Sequence, residues 1–231
     1  PLHHLSPRSS PYGTVAPLVV LSSMSLLALL APLALLAPAA AGLQLPATMR
    51  AVRKKNAILP CFTPFTSCVE LFNTTVPRPA AGQILGRVAA ASVNPCDVDY
   101  LEFDVACSGG GGVLGMDVAG VVVAVGVDTS TRLKVGDRVW ADVGGVQGDT
   151  GGMADFALLS EAQVGLMPTN LNGPEAGTIP LVGLTALEML GKVLRALNAT
   201  KLPPNATAVA TSGSGGTGFM LVQMAAQALR P

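Results

Sequence analysis

The sequence predicts an α/β plus β architecture, in which a domain of short β-strands is followed by the opening of a doubly wound α/β unit. Three observations carry this. Between residues 83 and 141, valine-rich runs alternate with glycine-containing turns, the pattern of short paired strands. Near Asn172 the pattern changes to apolar residues at helical spacing. Finally, an apolar run over 206–211, a glycine-rich loop over 213–218 and an apolar stretch to Leu229 follow one another directly. Strand, glycine loop and helix in that order open a βαβ unit.

The strands of the first part are Gln83 to Val93, closed by Asn94-Pro95, then Val118 to Val125, ending at Gly126, and Arg138 to Ala141, launched from Gly136-Asp137. Strands this short with glycine turns predict a barrel-like or sandwich domain. A helix starts at Pro174, with Asn172 as its cap and Glu175 three residues later, the arrangement of a capping box. A second helix runs from Gly183 to Leu197, with Leu187, Leu190 and Leu194 on one face.

Half of the 231 residues are apolar, enough for a sizeable core, and Lys+Arg balance Asp+Glu at 14 each. Nucleic acid is therefore not an expected partner, because its binding needs a clustered basic face. The apolar excess is concentrated in a leader, residues 1–48, without a charge from Ser9 to Thr48. Arg8 precedes a leucine-rich run and Ala39-Ala40-Ala41-Gly42 follows it, the order of a secretory signal peptide cleaved near Ala41 or Gly42. A membrane anchor is the second reading, since about 20 apolar residues cross a bilayer, although Pro32 and Pro38 interrupt the run. An organelle presequence is the third. The expected location is thus the secretory pathway or a membrane, then an organelle, and the cytoplasm if Met49 is the true start. Sequons at Asn73, Asn198 and Asn205 fit the secretory route. Cys61, Cys68, Cys96 and Cys107 form no C-x-x-C pair, and the only histidines are His3 and His4, so metal-ligand spacing is missing. A bond between Cys61 and Cys68 in an oxidising compartment is left open.

Gly213-x-Gly215-x-x-Gly218 fits a phosphate-binding loop. Glycine there permits a tight turn, close approach of backbone to a pyrophosphate, and close packing of helix on strand. The amides at the helix start then meet the phosphate charge. The acidic or basic residue expected about 20 positions on would fall past Pro231, the last residue given.

Five segments carry a resemblance. They are Ala89 to Asp97, Leu114 to Val122, Lys134 to Trp140, Gly152 to Ala157 and Ile179 to Ala186. In order and spacing they resemble the medium-chain dehydrogenase/reductases, specifically the zinc-independent quinone-oxidoreductase (enoyl reductase domain) type. Residues 56–72, with Pro60 and Pro64, follow that family's first hairpin poorly. The resemblance implies a GroES-like β domain over 49–172 and the start of a Rossmann domain over 173–231.

What the family would do defines the remaining expectations. Its zinc-dependent members need a thiolate where Asn94 stands and a histidine where Met116 stands, and neither an amide nor a thioether suits catalytic zinc. Cys96, one residue from Asp97, reads as a free structural cysteine. The resemblance implies NADPH as cofactor, with NADH not excluded, and hydride transfer to a quinone, enone or enoyl-type small molecule. Asn94 and Thr185 would lie at the nicotinamide end, against simpler readings as a turn former and a helix-start cap. Gly213, Ser214, Gly215, Gly216, Thr217 and Gly218 would hold the phosphates. Tyr100 is a candidate proton donor or a half-buried structural tyrosine. The alternatives are an inactive binding or scaffold protein that retains the fold, and a membrane-associated, lipid-related reductase. The chain reads as a fragment, inactive by itself, of a parent expected to be a homodimer.

Overall fold

The computed structural model describes residues 44–55, 64–103, 112–130, 132–144, 150–198 and 205–228. The leader up to residue 43, Cys61, Cys107 and residues 56–63 lie outside these. The described residues belong to one compact unit.

The elements in order are β1 (Thr48–Lys54), β2 (Val69–Thr75), β3 (Gln83–Ala90), α1 (Pro95–Phe103), β4 (Asp117–Val125), β5 (Arg138–Asp142), β6 (Phe156–Ser160), β7 (Val164–Leu166), α2 (Gly173–Gly177), α3 (Pro180–Ala196) and α4 (Gly216–Ala228). β1 and β2 pair antiparallel, so Val69 to Phe72 do join a first hairpin. The other strands form a five-stranded antiparallel sheet in the order β6-β3-β4-β5-β7.

The predicted strands sit where the valine runs put them, and the structure shows why those runs do not alternate. Both faces of the sheet centre are covered. Ile84, Val118, Val122, Val139 and Leu159 pack on one side, while Leu85, Val123, Phe156 and Leu158 pack on the other with Met49 and Val76. A strand buried on both faces reads as a continuous apolar run. The first strand ends at Ala90 rather than Val93 because Ala91 to Asn94 turn away from the ladder to enter α1.

The Asn172–Glu175 capping box is present, closed by Glu175 N donating to Asn172 Oδ1 and Asn172 N donating to Glu175 Oε2. α3 begins at Pro180, three residues before the predicted Gly183, since proline at the first helical position sacrifices no hydrogen bond. Leu190 of α3 and Ala225 of α4 pack together with Leu194, Leu221 and Met224. One prediction fails. Residues 206–210 form no strand, and Val209 is 86% exposed. A strand is defined by its hydrogen-bonded neighbours, and the described residues provide none beside this segment.

Gly120 sits where β4 crosses β3. A Cβ there would lie 2.3 Å from the Arg87 carbonyl oxygen and 3.3 Å from Val88 Cα, both backbone atoms. Since no rotamer change can relieve that contact, we predict that Gly120→Ala destabilises the fold by about 1–3 kcal/mol, in the range of other overpacking changes. Urea unfolding monitored at Trp140 checks this, and an unchanged midpoint would contradict the geometry.

Candidate functional site

The site is built where the loop after β3 meets the start of β4 and the first turn of α3. Asn94 is 6% exposed. Its backbone N–H donates to Asp97 Oδ2 at 2.7 Å, which caps the start of α1, and the other oxygen of Asp97 accepts from Gly115 N at 3.0 Å. Asp97 thereby ties the loop to the residues leading into β4. Burial pushes its carboxyl above the ordinary aspartate value, against the two backbone hydrogen bonds, and the neighbouring Asp117 adds to the rise.

Asp117, the first residue of β4, is completely buried. Its Oδ2 accepts from Asn94 Nδ2 at 2.8 Å and from the Ser92 hydroxyl. Its Oδ1 accepts from the backbone N–H of Leu181 at 2.7 Å, in the first turn of α3. Asn94 Nδ2 also donates to Ser92 Oγ at 3.0 Å. One turn along α3, the Thr185 hydroxyl donates to the Leu181 carbonyl at 2.7 Å. Asn94 and Thr185, 91 positions apart in the chain, thus belong to one chain of hydrogen bonds through Asp117 and Leu181. Thr185 lies inside α3 and does not cap it.

The glycine loop adjoins the same turn of α3. A Cβ on Gly216 would lie 3.0 Å from Val182 Cγ1, and one on Gly218 only 2.1 Å from the Ser212 carbonyl oxygen. Glycine is therefore required at Gly218 by space. Gly213, Ser214, Gly215 and Gly216 are exposed, and the first intrahelical bond of α4 is Phe219 N to Gly215 O. The residues just ahead of it are exposed, and Gly215 N donates to the Ser212 carbonyl at 2.9 Å, closing a turn in front of α4.

Tyr100 is half-buried on the other side of α1, among Leu101, Leu114, Val52 and Met153. Lys54 Nζ stands 5.6 Å from its ring centroid. Among the described residues, no hydrogen bond joins Tyr100 to the Asn94 network, and its ring lies near Lys54 of the first hairpin. Met116 is buried. Cys96, expected to be free, is disulfide-bonded, as is Cys68, because the neighbours of a thiol in space are not its neighbours in sequence. Ser92, Asp117 and Leu181 were assigned no role from the sequence. The available signal was an acidic residue at the head of an apolar strand, where a charge must be paired or hydrogen-bonded.

Comparison with known proteins shows what the chain is similar to. The alcohol dehydrogenase GroES-like domain family matches residues 80–169. Residues 80–169 are the GroES-like domain of a medium-chain dehydrogenase/reductase. A zinc-type alcohol dehydrogenase-like protein of Staphylococcus epidermidis is 31% identical over 159 residues, which is 69% of this chain and 46% of that protein. The chloroplastic NADPH-dependent alkenal/one oxidoreductase of Arabidopsis thaliana is 33% identical over 159 residues, 66% of this chain and 39% of that protein. The quinone oxidoreductase of Coxiella burnetii superposes with a TM-score of 0.60 at 25% identity, over 79% of this chain and 54% of that one. The chain thus spans about half the length of the medium-chain dehydrogenase/reductases it matches.

Beside this centre, Asp142 of β5 pairs with Asp117 across the ladder and accepts from Gly144 N at 2.8 Å. Burial raises its carboxyl above the ordinary value of 3.8, the Gly144 bond opposes this, and the charge of Asp117 adds to it. A carboxyl that holds its proton more tightly folded than unfolded costs stability as pH rises above the unfolded value. Asn can keep the Gly144 bond without the charge. We predict that Asp142→Asn unfolds at a higher temperature than the native protein at pH 7, with the gap closing below pH 3.8. A gap independent of pH would remove the electrostatic explanation.

Proposed function

We propose that the protein is an NADPH-dependent oxidoreductase that transfers hydride to a quinone, enone or enoyl-type substrate without zinc. The observation that carries this reading is the Asn94–Asp117–Leu181–Thr185 chain beside an exposed glycine loop. The loop is compatible with a pyrophosphate, because residues Gly213 to Gly216 are exposed ahead of α4 and Gly218 leaves no room for a side chain. In this reading the 213–218 amides hold the phosphates, while Asn94 and Thr185 orient the nicotinamide end. NADPH, when bound, would supply the hydride. The names of the alkenal/one oxidoreductase and quinone oxidoreductase relatives support the substrate class.

Zinc does not fit the residues present. The Asn94 amide is committed to Ser92 and Asp117, and both oxygens of Asp117 are occupied by donors. What is left is the neutral Asn94 carbonyl oxygen and the Met116 thioether, neither well matched to zinc.

The full-length protein should oxidise NADPH with a short-chain enone, a benzoquinone or an enoyl thioester. Elemental analysis should find no stoichiometric zinc, and a chelator should leave the rate unchanged. We predict that Asn94→Ala lowers kcat/KM by about two orders of magnitude, the scale of a misplaced reacting group. No turnover with any of the three acceptors, or one bound zinc per chain required for activity, would refute the proposal.

A further inference from the structure

Cys96 is left unused by the proposed chemistry, yet it sits inside the turn that carries Asn94. The ends of that turn are joined twice, by Asp97 N donating to the Asn94 carbonyl and by Asn94 N donating to Asp97 Oδ2. Asp97 also takes the Gly115 N–H, on the way into β4. A displacement at Cys96 is therefore passed through one or two residues of backbone to Asn94 and Asp97. Cys96 is disulfide-bonded, and so is Cys68, which Lys55 N, donating to its carbonyl at 2.7 Å, holds at the end of β1. The chain has four cysteines, so the partner of Cys96 is Cys61 or Cys68, ahead of β2, or Cys107, beyond α1. Each choice ties the Asn94 turn to chain outside it.

Two features open this bond to exchange. Cys96 is only partly buried, so a thiolate in solution has access to it. Exchange proceeds by attack on one sulfur and departure of the other, and is faster when the departing thiolate is stabilised. Cys96 departs at the amino-terminal turn of α1, a helix of 9 residues, where the helix dipole favours negative charge. The opposing charge, on Asp97, is turned to the N–H groups of Asn94 and Gly115.

We propose that the disulfide of Cys96 is a reversible redox clasp on the Asn94 turn, opened by a dithiol reductant. A thiolate of the reductant attacks the partner sulfur, the S–S bond breaks, and Cys96 leaves as a thiolate that takes up a proton. The second thiol of the reductant then displaces the partner from the mixed disulfide. In sum, two electrons and two protons pass to the two cysteines, and the dithiol becomes a disulfide. Opening leaves the turn to its hydrogen bonds alone, and these then break more often. Only the effect on turnover rests on the proposed function.

Non-reducing peptide mapping of the full-length protein identifies the partner of Cys96. Backbone hydrogen exchange is then followed in oxidised and in reduced dithiothreitol. Reduction should speed exchange at Asn94, Asp97 and Gly115 by about tenfold or more, because exchange reports local opening. Val122 and Val139 in the sheet should keep their rates, and reoxidation should restore the slow exchange. Cys96→Ser should exchange fast in either buffer, as should the protein with the mapped partner replaced by serine. NADPH oxidation should fall on reduction and recover on reoxidation. Exchange at Asn94 and Gly115 that is indifferent to reduction overturns the proposal, as does a free thiol at Cys96 in the mapped protein. So does a bond that yields only when Val122 and Val139 also lose protection, since that bond is a structural staple. Redox-dependent exchange in a protein that does not oxidise NADPH would refute the proposed function and leave the clasp standing.

Discussion

The arrangement depends on a carboxylate placed where water cannot reach it. An isolated buried charge is very costly, and it becomes tolerable only when donors surround it. Asp117 has three, the Ser92 hydroxyl, the Asn94 amide and the Leu181 N–H. They come from separate elements, the loop leaving β3 and the first turn of α3, while Asp117 itself opens β4. The sheet and the helical part are therefore pinned at one point by groups that lose their partner together. Deleting the carboxylate would leave buried donors unsatisfied, each at a cost of about 1–3 kcal/mol. Asp97 does the same work one step away, joining Asn94 N to Gly115 N. The buried negative charge is also felt by its neighbours, since Asp97 and Asp142 are both pushed up by burial and then by Asp117.

The sheet gives this point its rigidity. β4 is central, bonded to β3 on one side and β5 on the other, and covered on both faces by aliphatic side chains. Gly120 lets β3 come within contact of it three residues beyond Asp117. A carboxylate at the head of such a strand has little freedom to move toward a ligand. Whatever binds must adapt to the groups that Asp117 has already oriented, which is the condition for a preorganised site.

What could be read from the sequence follows a physical division. Features set by neighbours along the chain were legible. The valine runs gave the strands, Asn172 and Glu175 gave the cap of α2, and the glycine spacing gave the loop before α4. Features set by partners across space were not. The segment at 206–210 has a strand composition but no neighbour to pair with among the described residues. Cys96 looked free because its sequence surroundings say nothing of a bonding partner. The rival reading of Thr185 as a helix-start cap fails because α3 starts at Pro180. Asp117 lay within a recognised segment, and its role appears only when Ser92, Asn94 and Leu181 converge on it. Tyr100 was legible as a half-buried aromatic residue, and the structure turns it toward the first hairpin instead of toward Asn94.

That convergence also links two features that look independent. In the zinc-dependent relatives implied by the resemblance, position 94 would carry a thiolate. Beside Asp117 a thiolate would be a second anion in a buried space, and the pair would require a cation to be stable. An amide is neutral and donates, so Asn94 satisfies the carboxylate with no metal at all. Reverting Asn94 alone to cysteine would therefore not recreate a metal site. It would remove a donor from Asp117, and Met116 would still offer no histidine nitrogen. On this argument the zinc-free chemistry proposed here and the Asn94–Asp117 hydrogen bond are a single structural choice, and neither could change without the other.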